Sequence, residues 1–389
     1  MAEPRIRFKR DDGSVFPEWK EDCIGNMFSV TRGYVLAVQK TRQEQDSEYL
    51  YPVYSSQTKN DGRLGYYNEY LYEDAITWTT DGANAGTVKF RKGKFYCTNV
   101  CGVLLEDKVK PNLCIVEILN IATIPWVTHN GNPKLMNNVM SEIKIKYPSS
   151  FEEQQKIADF LSSVDDVIAT SEQEVANLEM QKKVVMKKIF SQEVRFKKED
   201  GSNYPDWEDT IVKEIGVVVT GNTPSTKEEQ NYGQDYLWVT PADITKNECV
   251  SSTNKKLSEK GWAIARHLPA GAVLVTCIAS IGKNSILATK GSCNQQINAI
   301  IPNGKMQSRF ILEAINYKEH DLQLLGGNGG MKIVSKSLFE NFELPYPCPE
   351  EQQKIADFLS NFDEAIVSAK KELELWRQLK KGLLQQMFV

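Results

Sequence analysis

The chain has 389 residues, of which 41% are apolar, and its formal net charge is −4. This length suits two folded domains with connectors, and the small negative charge neither indicates nor excludes a nucleic-acid-binding protein. No apolar run of about 18 residues occurs, and the N-terminus lacks the apolar core of a signal peptide, so we expect a cytoplasmic protein. The eight cysteines form no Cys-Xaa-Xaa-Cys pair and there are only three histidines, which argues against a zinc site and predicts reduced thiols.

The chain is an internal duplication. The undecapeptide Glu-Glu-Gln-Gln-Lys-Ile-Ala-Asp-Phe-Leu-Ser occupies residues 152–162 and again residues 350–360. Arg-Phe-Lys also occurs twice, at residues 7–9 and 195–197, each time followed by Asp-Gly-Ser, Pro and Trp. These repeats define the architecture. In chain order they predict an opening segment (residues 1–20), a first body (21–148), a central helix (149–194), a second opening segment (195–208), a second body (209–347) and a C-terminal helix (348–389).

Both bodies have the pattern of α+β domains, with short β-rich runs separated by turn signals such as Asp-Gly and Asn-Gly. The clearest runs are residues 76–80 and 87–90 in the first body and residues 272–278 and 297–301 in the second. The two bodies share no comparable stretch of identity, although the segments around them are nearly copies. Divergence restricted to the bodies predicts one scaffold that carries two different binding specificities.

Each predicted helix carries a heptad seam, with apolar residues spaced alternately by four and three positions. The apolar seam positions are Ile157, Leu161, Val164, Ile168, Val175, Leu178, Val185 and Ile189 in the central helix, and Ile355, Leu359, Phe362, Ile366, Leu373, Trp376, Leu383 and Met387 in the C-terminal helix. A lysine interrupts each seam at the corresponding position, Lys182 and Lys380.

Charge along the helices predicts how they pair. Acidic residues dominate the first part of each helix and basic residues the last part. The helix dipole alone explains this gradient, but only antiparallel pairing sets acids against bases. We therefore predict an antiparallel coiled coil, which also gives the duplicated chain a pseudo-twofold axis. The alternative is that both helices pair with another protein.

Residue types in the bodies suggest contacts with nucleic acid. Residues 87–96 contain four cations beside a glycine turn: Lys89, Arg91, Lys92 and Lys94. These cations suit phosphate contacts, and a solvated hairpin face is the alternative. Side chains of the types that read base edges are Asn84 and Asn99 in the first body, and Thr223, Ser225, Ser280, Lys283, Asn284, Gln295 and Gln296 in the second. Lys332, just after a glycine-rich loop at residues 326–330, could reach a phosphate. For each candidate, a structural hydrogen bond is the alternative.

The patterns that carry catalysis are not met. Asn132-Pro133-Lys134 lacks the second proline and the aromatic residue of an amino-methyltransferase turn, and no Gly-Xaa4-Gly-Lys-Ser/Thr phosphate loop occurs. Glu142-Ile143-Lys144 has the spacing of a nuclease site, which an amphipathic strand also produces. We therefore predict no catalytic residue and no metal site in this chain.

The second body and both helices resemble a known family. Gly221-Asn222-Thr223-Pro224-Ser225, followed by Leu-Trp-Val-Thr-Pro-Ala-Asp-Ile at residues 237–244, resembles the start of a target-recognition domain of type I restriction–modification systems. Residues 271–275, 280–283, 294–297 and 344–356 also resemble that family, while residues 79–87 and 98–99 are looser counterparts in the first body. The alternation of body and helix is the layout of the specificity (S) subunit.

The resemblance implies an α+β fold with two α/β target-recognition domains joined by an antiparallel coiled coil. It implies an S subunit that binds an asymmetric bipartite site in double-stranded DNA, one half per domain. The expected protein partners are two methyltransferase (M) subunits and restriction (R) subunits, and no association with a membrane is expected. S-adenosylmethionine, ATP and Mg are expected on those partners, and no cofactor in this chain. A coiled-coil adaptor that does not bind DNA and a self-contained nuclease are the alternatives.

Overall fold

The protein is described from a computed structural model that covers residues 4–56, 59–129, 131–245, 249–327 and 332–388. The chain forms two compact units: residues 1–170 with 374–389, and residues 171–373. The loop predicted at residues 326–330 lies partly outside the described residues. Over the described ranges, no helix combines the length and the apolar character needed to cross a membrane.

The first unit contains the first body. Its strands are β1 (Lys20–Cys23), β2 (Phe28–Arg32), β3 (Tyr51–Tyr54), β4 (Arg63–Tyr67), β5 (Tyr72–Thr79), β6 (Val88–Cys97), β7 (Cys101–Glu106) and β8 (Lys144–Tyr147). Its helices are α1 (Ile24–Met27), α2 (Leu113–Ala122), α3 (Asn137–Glu142) and the first half of α4 (Phe151–Phe190). Six strands form one sheet in the order β2-β7-β5-β6-β3-β4, and β1 pairs separately with β8.

The core of the first unit joins the sheet to both long helices. Trp78 and Leu104 from the sheet pack with Leu119 of α2 in one buried cluster. The same cluster contains Leu161 of α4 and Phe388 at the C-terminal end of the chain. Each fully buried side chain of this size contributes about 1.5–3 kcal/mol to folding. The ends of the long helices are therefore part of the body core.

The second unit contains the second body. Its strands are β9 (Glu208–Ile211), β10 (Gly216–Thr220), β11 (Tyr232–Gly233), β12 (Tyr236–Val239), β13 (Lys256–Leu257), β14 (Val273–Thr276), β15 (Asn284–Ile286), β16 (Gly291–Cys293), β17 (Ile297–Pro302) and β18 (Glu343–Tyr346). Its helices are α5 (Val212–Ile215), α6 (Glu259–Ile264), α7 (Ser308–Tyr317), α8 (Glu319–Leu325), α9 (Lys336–Glu340) and most of α10 (Pro349–Met387).

The second unit has two four-stranded sheets, ordered β10-β17-β14-β15 and β11-β13-β12-β16, and a separate β9–β18 pair. Its largest core cluster packs Ile300 of β17 and Phe310 of α7 with Phe190 of α4 and Leu359 of α10. This is the same use of helix ends as in the first unit. The α+β fold class and the β-rich runs predicted from the sequence are confirmed.

The two long helices pair antiparallel, as predicted. In the second unit, Glu179 of α4 binds Lys370 of α10 at 2.7 Å, and Lys182 binds Asp363 at 2.7 Å. Residue numbers rise along α4 as they fall along α10, so the helices run in opposite directions. The apolar seam residues named above are all buried or partly buried.

The duplicated segments form the same clamp in each unit. In the first, the Arg7 guanidinium binds Glu153 at 2.9 Å and the Trp19 indole donates to the same carboxylate. In the second, Arg195 binds Glu351 at 2.8 Å and Trp207 donates to it. Both glutamates are completely buried. A buried carboxylate needs such partners, which explains why this part of the undecapeptide is the same in both repeats.

The chain ends close together in the first unit. The Ile6 amide donates to the Gln386 carbonyl at 3.2 Å. In the second unit the corresponding Val194 amide donates to the Lys188 carbonyl at 3.1 Å, where the chain is continuous. The junction at residues 191–194 is therefore the internal equivalent of the two termini.

The lysines that interrupt the seams lie in ionic clusters, of which the second-unit cluster is buried and the first-unit cluster is partly exposed. In the second-unit lysine cluster, Lys182 binds Glu313 of α7 at 2.8 Å as well as Asp363, and Arg309 binds Asp363 at 2.9 Å. Burial, followed by the neighbouring Glu313 charge, raises the pKa of Asp363 to about 6, against the opposing effect of Lys182 and Arg309. The cluster therefore holds α4, α7 and α10 together through charges removed from water.

The first-unit lysine cluster has the same plan. Lys380 of α10 binds Glu117 of α2 at 3.0 Å and Asp165 of α4 at 2.7 Å. Burial lowers the pKa of Lys380, but hydrogen bonding to Asp165 and the Glu117 charge outweigh it, so the pKa lies above its ordinary value. Leu113 occupies the place on α2 that Arg309 has on α7. This cluster is also more exposed, with 41% of the Asp165 side chain accessible.

Candidate nucleic-acid interface

In the second unit, the loop after β10 is pressed against the turn that precedes β17. The Gly221 amide donates to the Ile297 carbonyl at 3.0 Å, and the Asn222 amide donates to the Cys293 carbonyl at 2.9 Å. A Cβ atom at Gly221 would lie 2.2 Å from the carbonyl oxygens of Cys293 and Asn294. Glycine is therefore required for this close approach.

The loop between β14 and β15 lies beside the same turn. The Cys277 amide donates to the Gln296 carbonyl at 2.8 Å, and the Gly282 amide returns to the Thr276 carbonyl at 3.0 Å. Ala279, with φ of 63°, donates to the Lys332 carbonyl at 3.1 Å. We call residues 222–225, 277–283 and 294–296 with Lys332 the second rim.

Most of the predicted contact residues of the second body meet on the second rim with exposed side chains. These are Thr223, Ser225, Ser280, Lys283, Gln295 and Lys332, while Gln296 is partly buried. The Thr223 hydroxyl donates to the Gln295 side chain, so two loops are joined at this surface. Hydroxyl, amide and ammonium groups on converging loops can bind both phosphates and base edges.

Asn284 differs from its neighbours because it is 4% exposed. Its amide nitrogen donates to the Gly282 carbonyl and to the Asn316 side chain, each at 3.0 Å. Its side-chain oxygen has no hydrogen-bond partner among the described residues. In this conformation Asn284 supports the rim from below and does not reach its surface.

The first unit builds a rim with the same backbone hydrogen bonds. Gly33 donates to the Cys101 carbonyl at 3.0 Å and Tyr34 to the Cys97 carbonyl at 3.1 Å. A Cβ atom at Gly33 would lie 2.1 Å from the Cys97 oxygen. Thr80 donates to the Val100 carbonyl at 3.0 Å. We call residues 34–35, 80–87 and 98–100 the first rim.

The two rims share a backbone but present different side chains. Tyr34 and Val35 occupy the positions of Asn222 and Thr223, and both are exposed, Val35 by 79%. Asn99 takes the place of Gln295 and is exposed. Asn84 is partly buried and donates to the Ser56 carbonyl at 3.2 Å. The duplicated scaffold therefore carries two chemically distinct surfaces.

The sequence analysis did not include residues 33–35 among the candidate contact residues, because Gly-Xaa-Thr-Pro-Ser is absent from the first body. The spacing of the repeat does indicate them. The spacing that relates Arg7 to Arg195, applied to Gly221, leads to Gly33. Arg266 was also missed: its backbone amide donates to the Asn222 side chain at 2.8 Å, which places this exposed cation beside the second rim.

The basic segment on β6 is only partly free to bind DNA. Arg91 is 6% exposed, stacks over the Tyr54 ring at 3.7 Å and binds Asp61 at 2.6 Å. Burial lowers its pKa. Lys89 also binds Asp61. These contacts give Arg91 a structural role in this conformation.

The other two lysines of β6 are exposed. The Lys94 ammonium lies 4.6 Å from the Tyr70 ring centroid. Hydrogen bonding to Tyr70 raises the pKa of Lys94. Lys92 is exposed. The nuclease-like triplet does not lie on one strand, because Glu142 ends α3 and Lys144 begins β8. Among the described residues, no group of three His, Cys, Asp or Glu side chains is placed to hold a metal ion.

The chain is thus one repeated scaffold with two chemically different exposed rims. Comparison with known proteins identifies its family: the model of the type I restriction modification DNA specificity domain matches residues 17–180 and 204–375. These matches cover most of the chain, which therefore belongs to the family of type I restriction–modification specificity subunits.

Individual relatives agree with this assignment. The MjaIX specificity subunit of Methanocaldococcus jannaschii is 34% identical over 51% of this chain and 48% of its own length. The chain thus matches about half of that relative. The putative type I specificity subunit S.MpnORF507P of Mycoplasma pneumoniae is 25% identical over 87% of this chain and 89% of its own length. The fold is also similar to the crystal structure of the S subunit from M. genitalium, with a TM-score of 0.65 and 16% identity over 100% of this chain and 99% of that chain.

Proposed function

We propose that this chain is the subunit that gives a type I complex its DNA specificity, by binding an asymmetric bipartite site with one half-site at each rim. One observation carries the proposal: the two rims keep the same loop hydrogen bonds while their exposed side chains differ. Side chains on loops held by a rigid scaffold are well suited to sequence readout. Different side chains on equal scaffolds select different base sequences.

Roles for the rims and for the basic segment on β6 follow from exposure and chemistry. The exposed cations contact phosphates, which position the protein on DNA: Lys92, Lys94, Lys283 and Lys332, with Lys89 at a partly buried site. The exposed or partly exposed polar side chains contact base edges: Asn84, Asn99, Thr223, Ser225, Ser280, Gln295 and Gln296. Arg91 and Asn284 contact neither phosphates nor bases under this proposal, because both are buried and hydrogen-bonded within their bodies.

Catalysis belongs to other subunits under this proposal. Two M subunits bind the long helices and supply S-adenosylmethionine, while R subunits supply ATP-dependent cleavage with Mg. The acidic first halves of α4 and α10 support this division, because carboxylates repel DNA phosphates but suit a protein partner. The chain alone would bind DNA weakly and with strong salt dependence.

Reconstitution tests the proposal. The chain is mixed with its M subunit, S-adenosylmethionine and DNA, and methylated positions are mapped by sequencing. We expect methylation only when both proteins are present, within a motif of two different half-sites separated by unread bases. Methyl transfer by the chain alone would contradict the proposal. DNA cleavage by the chain with only a divalent metal would favour a nuclease, and failure of the complex to bind any duplex at low salt would favour an adaptor.

A further inference from the structure

A chain of side-chain hydrogen bonds runs from the second-unit lysine cluster to the second rim. In the cluster, Lys182 binds one carboxylate oxygen of Glu313 at 2.8 Å. The other oxygen accepts from the side-chain amide of Asn316 at 3.3 Å. The Asn316 side-chain oxygen in turn accepts from the side-chain amide of Asn284 at 3.0 Å. The same Asn284 amide donates to the Gly282 carbonyl at 3.0 Å, and this carbonyl belongs to the loop between β14 and β15.

The loop at the end of this chain carries two contact residues of the second rim. Its exposed side chains are Ser280 and Lys283. Ala279 has φ of 63°, a left-handed conformation that a residue with a side chain adopts at a cost, so the loop needs external support. Gln323 of α8 donates to the loop at 3.2 Å. Asn284 directly follows Lys283, so its bond to α7 fixes the place where the loop returns to the sheet.

Asn284 is an unfavourable residue for the core of a folded domain. It is 4% exposed, and its side-chain oxygen has no hydrogen-bond partner among the described residues. A buried polar atom without a partner destabilises the folded state. In the first unit Val88 has the corresponding place, because it begins β6 directly after the loop of the first rim, and it is 1% exposed. The fold therefore does not require a polar side chain there, and what the asparagine adds is the connection to α7.

The first rim is anchored without its lysine cluster. On α2, Glu117 and Asn120 have the places that Glu313 and Asn316 have on α7. Asn120 binds only the backbone of Val88: its side-chain oxygen accepts from the Val88 amide at 2.9 Å, and its side-chain amide donates to the Val88 carbonyl at 3.1 Å. Glu117 binds the seam lysine at 3.0 Å, and over the described residues no hydrogen bond joins it to Asn120.

We propose that Glu313 and Asn316 are positioning residues for sequence readout: through Asn284 they fix the loop that presents Ser280 and Lys283 to DNA. This inference rests on the proposed function, because it concerns how the second rim recognises its half-site. Base preference at the second rim then depends on a buried ionic cluster that does not touch DNA. Base preference at the first rim does not depend on the equivalent cluster.

Methylated-base sequencing of DNA modified by the reconstituted complex tests this inference. Ser280→Ala and Lys283→Ala first identify the base pairs whose recognition depends on the loop. Glu313→Leu should reduce discrimination at those same base pairs by about tenfold, a typical effect of one lost base contact. Base pairs that Gln295→Ala affects should keep their wild-type discrimination in Glu313→Leu, because Gln295 lies on a different loop of the rim.

Equivalent residues of the two units supply the controls. Glu117→Leu removes the corresponding buried carboxylate beside the seam lysine of the first unit and should leave the first half-site unchanged. Glu313→Gln keeps a hydrogen-bond acceptor of the same shape and should retain wild-type discrimination. Asn284→Val disconnects the loop from the chain, so it should relax the same base pairs as Glu313→Leu. Adding Glu313→Leu to Asn284→Val should then cause no further change, since both act through one connection.

Each contrary outcome has a defined meaning. Wild-type specificity in a folded Glu313→Leu variant would overturn the inference, and so would unchanged specificity in both Ser280→Ala and Lys283→Ala. A merely structural role predicts weaker recognition of every base pair in the second half-site, or an equal effect of Glu117→Leu on the first half-site. Either result, or additive effects of Glu313→Leu and Asn284→Val, would also overturn it.

Folding of each variant is checked by hydrogen exchange of α7 peptides. If Glu313→Leu does not fold, Asn284→Val alone decides the question, because it introduces the residue type that the first unit carries at this place. An unchanged second half-site in that variant would refute the positioning role. A wild-type complex that methylates no bipartite motif would contradict the proposed function and this inference with it.

Discussion

The most quantitative prediction concerns the second-unit lysine cluster. Lys182→Met removes the ammonium group and keeps a side chain that can pack among the helices. Glu313, which is completely buried, then loses its cationic partner at 2.8 Å and keeps the Asn316 amide at 3.3 Å. Asp363 keeps Arg309 at 2.9 Å. Removing one partner of a buried ion pair costs about 3–5 kcal/mol, and because Arg309 remains we expect a loss of about 3 kcal/mol.

The loss should depend on pH with a definite sign. The pKa of Asp363 is about 6 in the folded protein, above its ordinary value of 3.8. Between these two values the folded state holds a proton that the unfolded chain has released, so the contribution of Asp363 to stability falls as pH rises from about 4 to about 6. Lys182 opposes the raised pKa, so removing it extends this window upward. The destabilisation by Lys182→Met should therefore be smaller at pH 5 than at pH 8.

Hydrogen exchange is the suitable assay, because the two units need not unfold together. Peptides from α7 should lose protection in Lys182→Met at pH 8, by about the free energy given above, and recover part of it at pH 5 after correction for the intrinsic exchange rate. Lys183→Met, at the exposed neighbouring position, is the control and should exchange like the wild type. Equal protection of α7 in the two variants at pH 8 would refute the assigned role of the cluster.

Three further predictions follow from the architecture. Deleting residues 175–181 and 373–379 removes one heptad from each long helix, spares both lysine clusters and shortens each helix by about 10.5 Å. Methylated-base sequencing should show both half-sites unchanged and the unread gap between them shorter by about three base pairs, at about 3.4 Å per base pair. An unchanged gap in an active variant would contradict this prediction. A permutant with joined termini and a new start within residues 191–194 should fold and specify the same DNA, because Ile6 already contacts Gln386; its failure to fold, with surface-loop permutants intact, would argue against the repeat closure. Gly221→Ala introduces a Cβ atom 2.2 Å from two carbonyl oxygens, so it should impair recognition of only the half-site that the second rim contacts. Gly382→Ala has open space around its Cβ atom and should change recognition of neither half-site.

The sequence was sufficient to predict the repeat, the helices and their antiparallel direction, because these depend on identity, period and charge order along the chain. The partners of the seam lysines could not be predicted. Periodicity places Lys380 on the seam, but Glu117 lies on α2 of the first body, far away in sequence. Seam spacing likewise does not show that Phe190 and Phe388 enter body cores, since it reports only which residues share a helix face.

The candidate site was predicted unevenly for physical reasons. In the second body, motif residues such as Thr223 and Gln295 do meet on one rim. In the basic segment, residue type alone could not separate exposed Lys92 from buried Arg91, because the position and the partner of each side chain depend on the fold. In the first body, the rim uses Tyr34 and Val35, whose types do not indicate a polar contact. The backbone contacts of the first rim require only Gly33, and a single glycine does not by itself indicate such a contact.

The central claim is that two rims on one scaffold read two different half-sites. The most direct measurement is methylated-base sequencing of DNA modified by the reconstituted complex, with wild-type chain and with Asn99→Ala or Gln295→Ala at equivalent positions of the two rims. We expect a bipartite motif in the wild type, relaxed in one half by Asn99→Ala and in the other half by Gln295→Ala. A contiguous motif, or the same half altered by both substitutions, would contradict the account.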